Sequence, residues 1–288
     1  LTTCALFFTA CENEKKETPE APVKSTPVAT TPQISYSVTQ RYPHDITSFT
    51  EGFLFHKGQL LESTGAPDHL PQTRSAIGLP DLKTGKFELK TELDKNKYFG
   101  EGIVVFQNKL YQLTYTNQVG FIYDAASFNQ IGQFTYSNKE GWGMTTDSIH
   151  LIMSDGTHRL TFLNPQNFSV AKTLEVTKDG YAMDHLNELE YIRGYIYANI
   201  WMSNIIVKID PKTGKVVGQL DLLDLYQESR TRNPGNERYC LRSGQRQSTG
   251  NRQTLARRIR NRISSLKPAL QKAKIFWCCL EPLTDYVS

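Results

Sequence analysis

From residue 34 onward the chain is written in stretches of strand length. Lys109-Leu110-Tyr111-Gln112-Leu113-Thr114-Tyr115, His150-Leu151-Ile152-Met153 and Tyr195-Ile196-Tyr197-Ala198-Asn199-Ile200-Trp201 alternate or cluster apolar and aromatic residues, as half-buried and buried strands do. No long helix-period pattern interrupts them. Between them fall polar turns of one kind: Asp81-Leu82-Lys83-Thr84-Gly85-Lys86, Asp124-Ala125-Ala126-Ser127-Phe128, Asn164-Pro165-Gln166-Asn167-Phe168 and Asp210-Pro211-Lys212-Thr213-Gly214-Lys215. An Asp or Asn that opens a turn closing near Gly is hairpin chemistry. A second feature recurs at the start of each β-rich stretch, a small-residue or acidic corner: Phe49-Thr50-Glu51-Gly52, Phe99-Gly100-Glu101-Gly102, Glu140-Gly141-Trp142-Gly143 and Leu186-Asn187-Glu188-Leu189. Counted from Glu51, Glu101, Trp142 and Asn187, the corners are spaced by 50, 41 and 45 residues, the period of propeller blades and other tandem arrays.

Two hairpins per repeat make a four-stranded unit, the blade of a β-propeller. A β-sandwich also has strands and turns, but it does not return the same two-hairpin pattern four times. The expected fold class is therefore all-β, a propeller with four recognisable blades. The lone segment 34–42 reads as a strand that completes the last blade and closes the ring. Gly78-Leu79-Pro80 is expected to interrupt a strand of the first blade, because proline has no ladder donor. After Leu225 the pattern stops, and residues 237–263 show no strand pattern.

Charge and cysteine both divide the chain at the same place. The net charge is +4, yet residues 238–288 hold eight Arg and three Lys against Glu281 and Asp285, a local balance of +9. The body is thus slightly acidic and has no charge complementary to a polyanion. Cys4 and Cys11 lie at one end, Cys240, Cys278 and Cys279 in the tail, and none between. A disulfide framework, a thiolate metal site and a cysteine nucleophile are thereby excluded from the body. The six His show no metal-ligand spacing.

Residues 1–10 are apolar and small and end in Phe8-Thr9-Ala10 before Cys11. This resembles the end of a bacterial lipoprotein signal peptide, whose final Cys carries the lipid; an ordinary secretory signal is the alternative. Residues 12–34, rich in Glu, Lys, Pro and Thr, read as a disordered tether between a membrane and the domain. The expected organisation is a signal remnant over 1–11, the tether over 12–34, a propeller over 35–237 and a basic tail over 238–288. The expected location is the bacterial cell envelope, lipid-anchored and facing the periplasm or the surface.

Several short motifs, in this order and spacing, carry a resemblance. Glu62-Ser63-Thr64-Gly65, Tyr98-Phe99-Gly100-Glu101-Gly102, Leu110-Tyr111-Gln112, Gly141-Trp142-Gly143-Met144-Thr145-Thr146-Asp147, Ser154-Asp155-Gly156, Leu186-Asn187-Glu188-Leu189-Glu190-Tyr191 and Asn199-Ile200-Trp201 resemble the plant and bacterial type of glutaminyl-peptide cyclotransferase, over residues 40 to about 225. The resemblance implies a five-bladed propeller that converts the N-terminal Gln of peptides or proteins to pyroglutamate with loss of ammonia, with no cofactor and no catalytic metal. It implies Glu101 as the catalytic carboxylate, and Asn187 as a hydrogen-bonding partner of the substrate amide or the developing oxyanion. It also implies Phe49, Glu51, Phe99, Tyr115, Trp142 and Trp201 as the pocket that holds the glutamine side chain. Tyr115 stands where the family often has Trp, and Glu51 where a plant member has Gln.

The chemistry is consistent with these residue types. The substrate's own α-amine attacks its own γ-carboxamide, so proximity within one residue supplies rate and no enzyme nucleophile is required. What remains is to take a proton from the amine and give one to departing ammonia, which one carboxylate can do in turn.

The tail departs from the resemblance. Permitted codons for residues 237–263, read one nucleotide over, can spell NGIAYDPANDSLLVTGKLWPAVFEIE, a β-rich fifth blade with the family's T-G-K-L-W-P motif and its site Lys. The expectation is a frameshift near Glu237 that replaces the last blade, leaving an aberrant fifth and a chain of doubtful activity. Two other functions remain open: a non-enzymatic, lipid-anchored binding or scaffold propeller, and, from the clustered Arg taken at face value, an arm for nucleic acid or anionic membrane. The partners expected are Gln-initiated peptides and a membrane through the lipid, with no nucleic acid and a monomeric chain.

Overall fold

Each expected hairpin closes by the same local bond. Asp81 Oδ1 accepts from the amides of Lys83 (2.7 Å) and Thr84 (3.0 Å), and Asp124 Oδ1 accepts from those of Ala126 (3.1 Å) and Ser127 (2.8 Å). Asn164 and Asp210 each accept from the amide two residues on at 2.9 Å. The left-handed residue that ends the turn is Gly85 or Gly214 in two cases but Phe128 (φ 60°) and Phe168 (φ 58°) in the others. Phenylalanine tolerates that conformation here because its ring is drawn inward: Phe168 stacks on Phe134 with centroids 4.5 Å apart, and Phe128 packs against the cluster around Tyr123.

The computed structural model describes residues 30–225, 239–244 and 275–277. Strand β1 (Ser37–Pro43) comes first. Blade 1 is β2 (Phe49–His56), β3 (Gln59–Gly65), β4 (Ala76–Pro80) and β5 (Phe87–Glu92). Blade 2 is β6 (Gly100–Phe106), β7 (Lys109–Thr114), β8 (Val119–Asp124) and β9 (Gln130–Thr135). Blade 3 is β10 (Met144–Thr146), β11 (Leu151–Met153), β12 (Arg159–Leu163) and β13 (Val170–Glu175). A two-stranded hairpin, β14 (Thr177–Lys178) with β15 (Tyr181–Ala182), precedes blade 4, which is β16 (Leu186–Ile192), β17 (Tyr195–Ile200), β18 (Ile205–Ile209) and β19 (Val216–Asp221). Within each blade every strand pairs antiparallel with the next in sequence, and the first strands β2, β6, β10 and β16 are neighbours around one axis. The fold is all-β, with four blades in a propeller-like ring.

Burial falls from the inside outward. All but one residue of β6 is buried, whereas β9 on the outer edge buries one residue. The core therefore lies between blades. Leu61, Ile77, Ile103 and Tyr123 join blades 1 and 2; Tyr111, Phe134, Met144 and Leu163 join blades 2 and 3; Phe162, Leu186, Ile196 and Val207 join blades 3 and 4.

Three expectations are corrected. Gly78-Leu79-Pro80 does not interrupt blade 1: β4 runs to Pro80, which pairs with Phe87 at the strand's last position, where the chain turns at Asp81. A proline at a strand end costs no interior ladder bond. The tail is not without strands either. β20 (Tyr239–Gly244) pairs antiparallel with β1, and β21 (Ile275–Trp277) pairs with β20, forming a three-stranded sheet. The segment around 34–42 thus has a strand partner. Finally, the expected tether ran to residue 34, but its last residues lie along β19: the Ile34 amide donates to the Gln219 carbonyl at 2.7 Å, and Gln219 N donates to Pro32 O at 2.9 Å. Thr31 donates through both N and Oγ1 to Asp179. Cys11, the tether up to residue 29 and most of the 238–288 tail lie outside the described residues.

Candidate active site

Three of the four corners are breaks in the innermost strand, and the fourth stands at its start. In blade 1 the ladder to β3 skips between Thr50 and Gly52; in blade 2 it skips between Gly100 and Ile103; in blade 4 it skips between Leu186 and Leu189. A β-bulge of this kind re-aims a side chain. The residues left out of the ladder are Glu51, Glu101 with Gly102, and Asn187 with Glu188. In blade 3 the corner lies just before β10, where Trp142 N donates to Ser154 O (3.0 Å) and Ser154 N to Gly143 O (3.1 Å).

The corners touch one another near the axis, which dictates glycine at two of them. A Cβ on Gly102 would lie 2.6 Å from Trp142 O and Met144 N, and one on Gly143 would lie 2.3 Å from Asn187 O. Backbone passes backbone there, and Gly102 N donates to Trp142 O at 2.8 Å across the blade boundary.

Above this floor lies a cavity of about 1100 Å³. It is lined by every site residue expected in the body: Glu101, Asn187, Phe49, Glu51, Phe99, Tyr115, Trp142 and Trp201. Aromatic rings form two walls. On one, Phe49 meets Phe99 edge-on at 6.0 Å and Phe99 meets Tyr115 at 6.1 Å; on the other, Trp142 and Trp201 meet edge-on at 5.6 Å. The second wall is held in place by Glu140, whose Oε2 accepts from Trp142 Nε1 at 2.8 Å, and by His185, 6.2 Å from the Trp201 ring. Trp201 remains half exposed.

The lining is strongly acidic at its base. Glu101 is only 5% exposed, and burial first, then the charges of Glu51, Glu188 and Glu140, hold its carboxyl well above the ordinary carboxylate value. Glu188, which also lines the cavity, is raised by burial and by Glu190, despite its Oε1 accepting from the Phe53 amide at 3.3 Å. Burial and the neighbouring Glu140 raise the Tyr115 hydroxyl as well. Glu188 Oε2 and Asn199 Oδ1 are buried acceptors with no hydrogen-bond partner among the described residues. A base of unpaired acceptors and buried carboxylates between aromatic walls suits a ligand that brings N–H donors on an apolar stem. Among the described residues no cluster of three or more His, Cys, Asp or Glu is arranged to hold a metal.

Glu140 and Glu188 had no assigned role in the sequence, although both stand inside the recurring corners. Their position beside Trp142 and Asn187 was the signal. His185 and Asn199 carried none, since a loop His and a strand Asn are ordinary. Cys11 lies outside the described residues.

A family model described as glutamine cyclotransferase matches residues 4–237. The chain is 37% identical to a glutaminyl-peptide cyclotransferase of Arabidopsis thaliana over 189 residues, 65% of this chain and 57% of that protein. It therefore spans rather more than half the length of that curated relative. A crystal structure of the Myxococcus xanthus glutaminyl cyclase superposes with a TM-score of 0.64 at 30% identity, covering 74% of this chain and 92% of that one.

Proposed function

This chain belongs to the glutamine cyclotransferase family, and on that premise we propose that its cavity converts the N-terminal Gln of peptides to pyroglutamate, releasing ammonia. The glutamine side chain lies between the aromatic walls, and its α-amine turns back onto its own γ-carboxamide carbon. A C–N bond forms, the carbonyl oxygen takes the negative charge, and collapse breaks the bond to the amide nitrogen. The proton lost by the amine travels through Glu101 to the leaving nitrogen. Asn187 supplies a side-chain donor to the amide or the oxyanion. No water or enzyme nucleophile enters the balance, and the proposed step is metal-independent general acid/base catalysis.

The single observation that supports this reading best is Glu101 itself. A free carboxylate near pKa 4.3 is too weak a base for an α-amine near 7.7–8.0. Burial, and then the charges of Glu51, Glu188 and Glu140, raise Glu101 above the ordinary carboxylate value, which narrows the gap to the amine and favours proton transfer. The tail bears on the rate. We read residues 238–288 as out-of-frame translation, so the Lys that the family's last blade supplies is replaced and turnover by this exact chain is low. The lipid anchor at Cys11 and an envelope location belong to the same proposal.

Glu101→Gln tests the catalytic part. With a Gln-initiated dipeptide, ammonia release falls by about 10²–10⁴-fold relative to the unsubstituted chain, while the circular-dichroism spectrum is unchanged. A binding or scaffold propeller predicts no such loss.

A further inference from the structure

The bulges that aim Glu101 and Asn187 also take their backbone carbonyls out of the strand ladder, and the structure supplies a replacement from the neighbouring blade in both cases. Ser63 Oγ, on β3 of blade 1, donates to the Glu101 carbonyl at 2.5 Å. Ser154 Oγ, next to β11 of blade 3, donates to the Asn187 carbonyl at 2.7 Å. The two serines occupy equivalent positions: Ser63 pairs with Gly52 and Ser154 with Gly143, each opposite the corner glycine of its own blade. Both are fully buried.

Each hydroxyl is itself oriented. Gln112 Nε2 donates to Ser63 Oγ at 3.0 Å, and Tyr123 OH donates to Gln112 Oε1 at 3.0 Å, a buried relay from the core of blade 2. Gly143 N donates to Ser154 Oγ at 2.8 Å. The other side of Glu101 is gripped as well: Gly100 N donates to Ser75 Oγ at 2.5 Å, and Gly102 N to Trp142 O at 2.8 Å. With its ladder bonds gone, the Glu101 peptide is held by side chains and by the next blade.

We infer that Ser63 and Ser154 are positioning residues, a repeated hydroxyl clamp thrown from blades 1 and 3 onto the corners of blades 2 and 4 to fix where Glu101 and Asn187 point. The inference rests on the reaction proposed above for what the clamp serves, but its geometry can be tested without turnover. A hydroxyl bonded to a carbonyl outside the ladder has no substitute when removed, so the corner gains freedom while the rest of the blade keeps its bonds.

The experiment compares the full chain with Ser63→Ala and Ser154→Ala by residue-resolved amide hydrogen exchange and by steady-state ammonia release from a Gln-initiated dipeptide. In Ser63→Ala the Gly102 amide exchanges at least about tenfold faster while β8 amides are unchanged; in Ser154→Ala the Gly143 amide does so. Turnover falls about tenfold in kcat, with KM within about twofold, because the displaced group acts in the transition state. Thr146→Val, which removes a hydroxyl bond to the His150 carbonyl at the far end of blade 3, leaves kcat and KM unchanged. Exchange at Gly102 and Gly143 that is unaltered, or that speeds up equally throughout the blade, overturns the clamp, as does a kcat that does not move or falls only with the folded fraction. If no version releases ammonia even when the frame after Glu237 is restored, the proposed reaction fails while the exchange result still decides the clamp.

Discussion

The three interfaces between blades 1, 2, 3 and 4 differ from the seam where the ring closes. Between blades 3 and 4, twelve buried residues form one cluster, with Phe162, Leu186, Ile196, Val207 and Ile209 at most 0% exposed. At the seam, the outer face of blade 4 is covered by Ile34 and Tyr36 from the segment before β1, and the face of blade 1 offers Phe53 and Leu60 with Phe55 and Leu82 beside them. Just after β1, His44 reaches blade 1 through Nε2, 2.8 Å from Glu62 Oε1, and through its ring, edge-on to Phe53 at 5.9 Å, while Thr50 Oγ1 of blade 1 donates to the same Glu62 oxygen at 2.5 Å. The four blades are thus held by apolar area among their described side chains, and the seam by a strap and a buried polar knot. All the expected catalytic and pocket residues sit on the four-blade side, so the site's geometry is set where packing is densest, and its closure depends on the weaker part.

That contrast can be broken by substitution. Phe162→Ala, between blades 3 and 4, destabilises the chain by about 3–5 kcal/mol, measured by urea unfolding. Phe53→Ala, at the seam, costs less than about 3 kcal/mol; equal costs at the two places would erase the distinction.

The corners sharpen it further. Gly143→Ala drives a Cβ to 2.3 Å from Asn187 O and 2.5 Å from Glu188 Cα, so stability falls by about 1–3 kcal/mol and ammonia release falls with it. Gly52→Ala meets its nearest atoms only at 3.1 Å and has the smaller effect on the melting temperature. The reverse order would mean that the corners are not packed as described.

The smallest expected effect is electrostatic. Burial pushes Glu190 up to about 7 from its ordinary 4.5. The folded state therefore binds more protons than the unfolded state between those values, and stability is fully present below about 4.5 and declines as pH rises through about 7. Glu101 and Glu188, also raised, add in the same sense. Thermal midpoints measured from pH 4.5 to 7.5 should decline, and Glu190→Gln should flatten the slope; a midpoint that climbs across this range contradicts the assignment.

Much of the fold was legible because it repeats. Asp81, Asp124, Asn164 and Asp210 announce the same turn with the same residue chemistry, and the corners recur at blade spacing, so strand number and order followed. Pro80 misled because a sequence does not show whether a proline stands inside a strand or at its last position. Tyr239-Cys240-Leu241-Arg242-Ser243-Gly244 was illegible because its strand is imposed by pairing with β1 rather than by alternation within it. In the site, Glu101 and Asn187 stood out through the corners. Ser63 and Ser154 did not, since a serine in a strand looks the same whether it faces solvent or replaces a lost ladder bond one blade away.

Under the proposed function, the four blades hold a cyclotransferase site whose last part is replaced over residues 238–288. Ammonia release and pyroglutamate formation from a Gln-initiated dipeptide should be measured for this chain and for a version in which the shifted frame after Glu237 is restored, with Glu101→Gln as the blank. The expected result is little turnover by this chain and a rise of about a hundredfold or more on restoration. Full activity in the chain as it stands, or none in either version, would contradict it.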